Sequence, residues 1–202
     1  MNAVLADVGA RTVMLTATNA GRKLYETAGF ESIGRLNQHQ GHISAAQSHK
    51  EFAAAGEPSA RLPDKSDIYA LDRSVTGVDR TGLINSLLAT GEPLGYFDAD
   101  DCIGYSICRP FGLGYVVGPV IVSSTADNPN KTAQDLLKPW LRLHGDDFVR
   151  VDTPADSGLS DWLTNHGLPM AGEGLIMRRS GIGEGSASPA QLNYALASQA
   201  LG

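Results

Sequence analysis

The sequence has few of the features that mark secreted or metal-binding proteins. It contains two cysteines, Cys102 and Cys108, in 202 residues, and neither belongs to a CxxC pair. They stand an even number of residues apart in a segment that alternates like a strand, which predicts that both lie on one face of it. We therefore expect buried thiols and no bound metal.

Two other absences narrow the class of protein. The sequence has no run of about 18 apolar residues and no charged segment followed by an apolar core near its start, so neither a membrane span nor a signal peptide is predicted. The formal net charge of −6 and the pI near 5.3 disfavour nonspecific binding to nucleic acid or to an anionic membrane. We therefore expect a cytoplasmic protein that binds neither nucleic acid nor membrane.

A composition of 42% hydrophobic and 19% charged residues is typical of a globular protein. Its first part predicts an α/β unit. A helix ending at Gly9, a strand over 11–18, a helix over 19–28 that ends at Gly29 and an extended segment from Phe30 follow one another. Such a unit does not bury all its faces alone, so it needs a packing partner.

Composition also divides the chain into four segments. Residues 44–66 are rich in Ala, Ser, Gly and Pro and poor in β-branched residues, which is typical of a linker. We predict a partial first domain over 1–43, this linker over 44–66, a second domain over 67–180 and a tail over 181–202. Within the tail, glycines over 181–185 predict a hinge, and residues 188–202 carry the cap and the apolar stripe of a helix.

The second domain is predicted to repeat and extend the first. The expected elements are a strand over 67–75, a helix over 77–90, extended runs over 94–98, 102–109 and 114–122, a helix from Asn128, a strand over 147–152, a helix over 156–166 and a strand over 170–178. Pro139 predicts a kink or a break in the helix from Asn128, because an interior proline costs about 3 kcal/mol. The order helix, strand, helix, strand occurs twice, which predicts two copies of one fold.

The segment TVMLTATNAGRKLYETAGF over 12–30 resembles the second half of the acyl-CoA N-acyltransferase fold, the GNAT superfamily. Over most of residues 67–202, the ordered segments LDRSVTGVDRTGLINSLL, GYVVGPVIV, VDTP and ALASQALG resemble the C-terminal domain of two-domain bacterial GNAT proteins. The resemblance implies an α/β (α+β) fold with a mixed sheet flanked by helices. Since superfamily members have a much longer stretch ahead of the first segment, we expect one partial, truncated copy followed by one full copy.

The resemblance also implies acetyl-CoA as the co-substrate, with no metal. In the superfamily, acetyl-CoA lies between two splayed parallel strands, and its pyrophosphate rests on the N–H groups that open the following helix, where an anion is favoured. The loop signature Q/R-x-x-G-x-G/A is absent from this sequence. In the first copy the resemblance assigns cofactor contacts to Thr18, Asn19, Gly21 and Arg22, although Thr18 and Gly21 stand where asparagine and alanine are common.

In the second copy, the corresponding loop over 122–130 lacks glycine and carries Asp127. An uncompensated carboxylate repels a diphosphate, unless Lys131 offsets it. We therefore expect the second site to be degenerate.

Tyr25 is the candidate catalytic residue. It stands four residues before the Gly-Phe pair, where many superfamily members carry a tyrosine that protonates the departing CoA thiolate, and a phenol and a thiol have comparable acidities. The alternative is that Tyr25 is a half-buried aromatic residue that joins helix to sheet. In the second copy Leu163 falls at this position and Leu168 replaces the phenylalanine, so that copy resembles a non-catalytic partner.

Other polar residues receive structural interpretations first. His39, His42 and His49 occur without a carboxylate or cysteine pattern, which predicts solvated side chains and no metal site. Asp79 and Arg80 lie at a helix start, where an ion pair is expected and substrate contact is the alternative.

Asp152 ends a strand on the side where α/β folds bind ligands. It therefore positions a substrate amine, acts as a base through water, or caps a turn.

Two functions remain open from the sequence. The first is an acyltransferase that moves an acetyl group from acetyl-CoA to an amine of a small molecule or a protein. The second is a truncated or degenerate module that binds a ligand or a partner without turnover. A homodimer whose second chain covers the exposed edge near Val13 is compatible with both.

Overall fold

The computed structural model describes Gly9 and residues 11–43, 60–181 and 193–199. Strands in these ranges form one sheet. They are β1 Val13–Ala17, β2 Glu31–His42, β3 Ala60–Arg61, β4 Glu92–Asp98, β5 Asp101–Phe111, β6 Gly114–Val122, β7 Phe148–Pro154, β8 Met170–Arg179 and β9 Asn193–Ala195. Their order is β1-β8-β2-β7-β6-β5-β4-β3, with β9 paired to β6. The β6–β7 pair is parallel, whereas the other described pairs are antiparallel.

Helices cover both faces of this sheet. They are α1 Arg22–Thr27, α2 Lys65–Thr76, α3 Thr81–Leu88, α4 Pro129–Leu143 and α5 Ser160–Asn165. Successive residues of β6 face different layers, because Val120 and Val122 join the apolar cluster beneath α4 and α5, whereas Ile121 joins the cluster beneath α2 and α3. The predicted mixed α/β fold, a sheet flanked by helices, is confirmed.

The segment over 67–75 is helical, so the predicted strand is wrong. It lies within α2, which ends at Gly77, whose φ of 70° is left-handed. The buried residues Ile68, Leu71 and Asp72 follow the i, i+3, i+4 spacing of one helix face. Local alternation in DIYALDRSV imitated a strand, but only the helix turns these three side chains towards the sheet.

The two cysteines lie on opposite faces of β5, so the prediction of a shared face is also wrong. Cys102 packs against the cluster beneath α2 and α3, and Cys108 belongs to the cluster beneath α4 and α5. The cause is a β-bulge, since Cys102 and Gly104 pair with consecutive residues of β4 and one extra residue inverts the alternation. Burial raises the pKa of the Cys102 thiol to about 11 and that of Cys108 to about 12.

The helix α4 continues through Pro139, and the expected break does not occur. Ser106 on β5 supports this turn, because its hydroxyl donates to the Leu136 carbonyl at 3.2 Å and accepts from the Trp140 indole at 2.9 Å. Leu136 and Trp140 are themselves buried. We infer that burial of this face and the Ser106 contacts offset the cost of the proline.

Some predictions fall in part or wholly outside the described residues. They concern the first helix before Gly9, the linker up to residue 59, His49, the hinge after Gly181 and most of the tail. Within the tail, Asn193–Ala195 is a strand, so the helix predicted there is wrong over this part. At the other end of the linker, Ala60–Arg61 is a strand and Lys65 begins a helix.

His39 is buried, contrary to the expected solvated side chain, whereas His42 is exposed as predicted. The His39 ring joins β2 to α5 and the segment after it, with Nδ1 at 2.8 Å from the Leu168 carbonyl and Nε2 at 2.7 Å from the Ser160 hydroxyl. The carbonyl only accepts, so Nδ1 is the donor in this contact.

Replacing His39 with leucine is expected to lower the free energy of unfolding by about 2 kcal/mol, because the buried Leu168 carbonyl loses this hydrogen bond and the Ser160 hydroxyl keeps only the one from Asn37. Chemical denaturation measures the change. His42→Leu, on the same strand, is the control and should cost less. Equal losses would show that the His39 hydrogen bonds contribute nothing specific.

Candidate functional site

The molecule contains two similar strand-helix-strand units. The first unit is β1–α1–β2, and the second unit is β7–α5–β8. Their helices end alike, because Gly29 has a φ of 85° and Gly167 a φ of 90°, a left-handed geometry that favours glycine. In both, the next amide folds back on the helix, from Phe30 to the Tyr25 carbonyl at 3.0 Å and from Leu168 to the Leu163 carbonyl at 2.9 Å. Tyr25 and Leu163 therefore occupy equivalent positions.

The two units are interleaved in the sheet. β8 lies between β1 and β2, and β2 lies between β8 and β7, so the order β1-β8-β2-β7 stays the same when the units are exchanged. On its outer side β7 pairs with the parallel strand β6. The equivalent outer edge of β1 carries no strand from the described residues.

The loop between β1 and α1 brings the residues predicted for the first unit together beside this edge. Thr18 closes the turn, because its Oγ1 accepts from the Gly21 amide at 3.2 Å. A methyl group at Gly21 would lie 3.4 Å from both the Thr18 hydroxyl and the Tyr25 ring, so these three residues are close neighbours. Asn19 is exposed, and Arg22 pairs with Glu26 of α1 at 2.6 Å.

Tyr25 is half-buried on the inner side of α1. Its ring meets Phe30 edge to face, with centroids 5.9 Å apart, and packs against the small cluster of Ala17, Phe30, Leu175 and Met177. This packing suits the aromatic contact between helix and sheet, and it also fixes the ring. The packing thus agrees with the interpretation of Tyr25 as an aromatic contact between helix and sheet, and its catalytic role stays a prediction.

The parallel strands β6 and β7 form the other candidate cleft. They pair only at Tyr115–Val149 and Val116–Arg150 and diverge beyond these residues. The divergent part is not open, because β9 lies in it and pairs with β6 at Val120–Ala195. No local pattern in the sequence predicted the strand β9.

The loop that follows β6 caps the helix α4 that comes directly after it. Asn128 Oδ1 accepts from the Lys131 amide at 3.1 Å, and Pro129, at the first helical position, has no N–H to offer. The Lys131 ammonium lies 2.6 Å from the Asp135 carboxylate and forms an ion pair with that buried acid. The first turn of α4 therefore offers few donors to a diphosphate.

Asp152 is fully buried on β7. Its carboxylate accepts three hydrogen bonds from Arg150, from Nε at 3.0 and 3.1 Å and from Nη2 at 2.8 Å. Its carbonyl accepts from the Leu196 amide at 2.8 Å. Both polar groups of Asp152 thus have partners within the chain, and its role towards a substrate stays a prediction.

Asp79 and Arg80 both form ion pairs, but not with each other as the sequence suggested, and the Arg80 pair belongs to a buried cluster that the sequence did not reveal. Asp72 accepts from Arg80 at 2.6 and 3.0 Å and from the Tyr105 hydroxyl at 2.5 Å. Asp79 instead pairs with Arg73 and caps α3 through Thr81. The i, i+8 spacing of Asp72 and Arg80 across a helix junction was the available signal.

The described ranges contain neither a metal-binding cluster nor a membrane-spanning helix. No group of three His, Cys, Asp or Glu residues among them is arranged to hold a metal ion. No described helix is long and apolar enough to cross a membrane.

Comparison with known proteins gives concordant results. A family model for the acetyltransferase (GNAT) domain matches residues 68–187. The protein YitH of Bacillus subtilis (strain 168), described as an uncharacterized N-acetyltransferase, is 28% identical over 218 residues, which cover 100% of this chain and 69% of YitH.

Solved structures share the fold. A proposed acetyltransferase from Pyrococcus horikoshii has a TM-score of 0.72 at 16% identity, covering 100% of this chain and 64% of that one. A GCN5-related N-acetyltransferase from Sphaerobacter thermophilus has a TM-score of 0.56 at 15% identity, covering 85% of this chain and 61% of that one. The chain thus spans less than two thirds of both proteins. Because the family model matches more than half of the sequence, this chain belongs to the GNAT acetyltransferase family.

Proposed function

We propose that the protein transfers an acetyl group from acetyl-CoA to an amine of a small molecule or a protein. The observation that carries this proposal is the contrast between the two units. Beside β1 no described residue pairs with the outer strand edge, and the helix carries Tyr25, whereas beside β7 the cleft holds β9 and the equivalent residue is Leu163. The first unit is therefore the site of chemistry, and Thr18, Asn19, Gly21 and Arg22 are its cofactor contacts.

The reaction follows from ordinary thioester chemistry. The amine nitrogen attacks the acetyl carbonyl, a strand N–H stabilises the oxyanion, and the C–S bond breaks as the C–N bond forms. The departing thiolate takes the Tyr25 proton, and the amine loses a proton to a base. No metal takes part in these steps.

The first unit is incomplete as a thioester site, since the equivalent of β6 beside β1 is not supplied by the described residues. We propose the two-domain arrangement, in which β1–α1–β2 closes a first GNAT domain. We propose that the parallel strand beside β1, which the described residues do not supply, comes from a second copy of the chain in a homodimer. Acetyl-CoA as co-substrate also favours the cytoplasm as the compartment.

A second function has its own support. Leu163 has no proton to donate, and the β6–β7 cleft holds β9 in place of a cofactor. The second unit thus has no acid and no open cleft, and the first unit has no described parallel strand beside β1, so a protein that binds a ligand or a partner without turnover also fits the structure.

Thermal denaturation with acetyl-CoA separates the two functions. A site filled at about 100 times its Kd stabilises the folded chain by about 2.7 kcal/mol, which raises the Tm of a protein of this size by about 5–10 °C. ADP, which lacks pantetheine, is the control and should shift the Tm much less. No shift with acetyl-CoA would favour the module, and a shift without CoA release from any amine would favour binding alone.

A further inference from the structure

The segment over 193–199 occupies the space where β6 and β7 separate, and its backbone is bound to the β7 side. The Leu196 amide donates to the Asp152 carbonyl at 2.8 Å. The Thr153 hydroxyl donates to the Tyr194 carbonyl at 2.7 Å. Together with the β6 pairing, these bonds attach the segment to both walls of the cleft.

The end of the segment is held by side chains of two further strands. The Arg109 guanidinium on β5 donates to the Ala197 carbonyl. The side-chain amide of Gln199 donates to Oε1 of Gln38 on β2 at 2.9 Å. Strands on either side of the β6–β7 pair thus contact one short peptide.

Side chains of this segment belong to the core on both faces of the sheet. Residues 194–197 each expose at most 7% of their surface. Tyr194 and Ala195 join the cluster beneath α4 and α5, Ala197 joins the cluster beneath α2 and α3, and Leu196 packs with Leu36. The peptide is therefore part of the packed interior.

Gly118 of β6 is shaped for this peptide. A methyl group at Gly118 would overlap the Leu196 carbonyl oxygen. The φ of Gly118 lies outside the left-handed region, so the backbone conformation does not require glycine here. The close approach of residues 193–199 does require it.

We propose that the β6–β7 cleft is a peptide-strand site whose resident ligand is residues 193–199 of the same chain. The ligand adds to the β6 edge as an extended strand with small and apolar side chains, a form of β-augmentation. Acetyl-CoA, which binds beside β1 in the proposed function on which this part rests, leaves the peptide in place.

Hydrogen exchange of the Leu196 amide in the full chain tests the peptide site. Because this amide is buried and bonded, we expect it to exchange as slowly as the central amides of β6. Gly118→Ala should speed its exchange by about 100-fold or more, since local opening then replaces opening of the core. The matched control is Gly82→Ala, because a methyl group there meets no neighbouring atom.

The outcomes are distinct. Fast exchange of Leu196 in the unaltered chain, or equal exchange in Gly118→Ala and Gly82→Ala, would overturn the peptide site. If Gly118→Ala fails to fold, the unaltered chain alone still decides through its Leu196 amide.

Acetyl-CoA provides a second arm. At saturating acetyl-CoA we expect unchanged exchange at Leu196 together with slower exchange in the β1–α1 loop. Faster exchange at Leu196 would mean that the cofactor displaces the peptide, which overturns its role as resident ligand. Absence of any acetyl-CoA binding would contradict the proposed function, while the Leu196 rate in the free chain still decides the peptide site.

Discussion

Tyr25→Phe is expected to lower the rate of CoA release by a factor of about 100 or more, which is the usual contribution of a positioned general acid. The phenylalanine keeps the ring and loses only the hydroxyl that protonates the thiolate. Steady-state release of free CoA, measured with the amine that gives the highest rate, reports the change.

The Tm of Tyr25→Phe separates catalysis from packing. The ring contact with Phe30 and the small cluster beneath α1 is retained in this variant, so the Tm and the acetyl-CoA shift should stay close to those of the unaltered protein. Tyr96→Phe is the matched control, because Tyr96 is also half-buried but lies on β4, towards the opposite end of the sheet. Unchanged CoA release in Tyr25→Phe would leave Tyr25 as an aromatic contact only.

The first unit was predictable because its signals are local. A glycine that must adopt a left-handed φ ends α1 at Gly29, and the apolar residues on either side fix the strand and the helix. The same local signals predicted that Leu163 occupies the position in the second unit that Tyr25 occupies in the first. Interleaving of the two units was not predictable, since it depends on pairing between strands far apart in sequence.

Errors arose where tertiary contacts outweighed local pattern. The stretch over 67–75 alternates like a strand, but burial of Ile68, Leu71 and Asp72 on one side favours α2. Residues 193–195 carry helix signals and still form β9, because two diverging strands offer unpaired backbone groups that a strand satisfies and a helix does not. Gly118 indicates a close backbone approach at β6, but the sequence alone does not show that the approaching residue is Leu196.

Asp72→Ala is expected to cost about 3–5 kcal/mol of unfolding free energy, the range for removing one partner of a buried ion pair. Asp72 is only 2% exposed, and it joins α2 to Arg80 at the start of α3 and to Tyr105 on β5. Without it, the Arg80 guanidinium loses its carboxylate partner in a largely buried site. Chemical denaturation at neutral pH measures the loss.

Asp79→Asn is the matched control, since it removes the charge of the neighbouring exposed pair with Arg73 and keeps a capping oxygen for Thr81; it should change stability little.

Alkaline titration adds a second readout. Burial, and then the charge of Asp72, raise the pKa of Tyr105 well above its ordinary value. The contribution of Tyr105 is thus complete below about pH 10 and is lost as the pH rises further. Tyr105→Phe should abolish this alkaline loss. Similar losses of unfolding free energy in Asp72→Ala and Asp79→Asn would contradict the buried cluster as a main support of the α2–α3 layer.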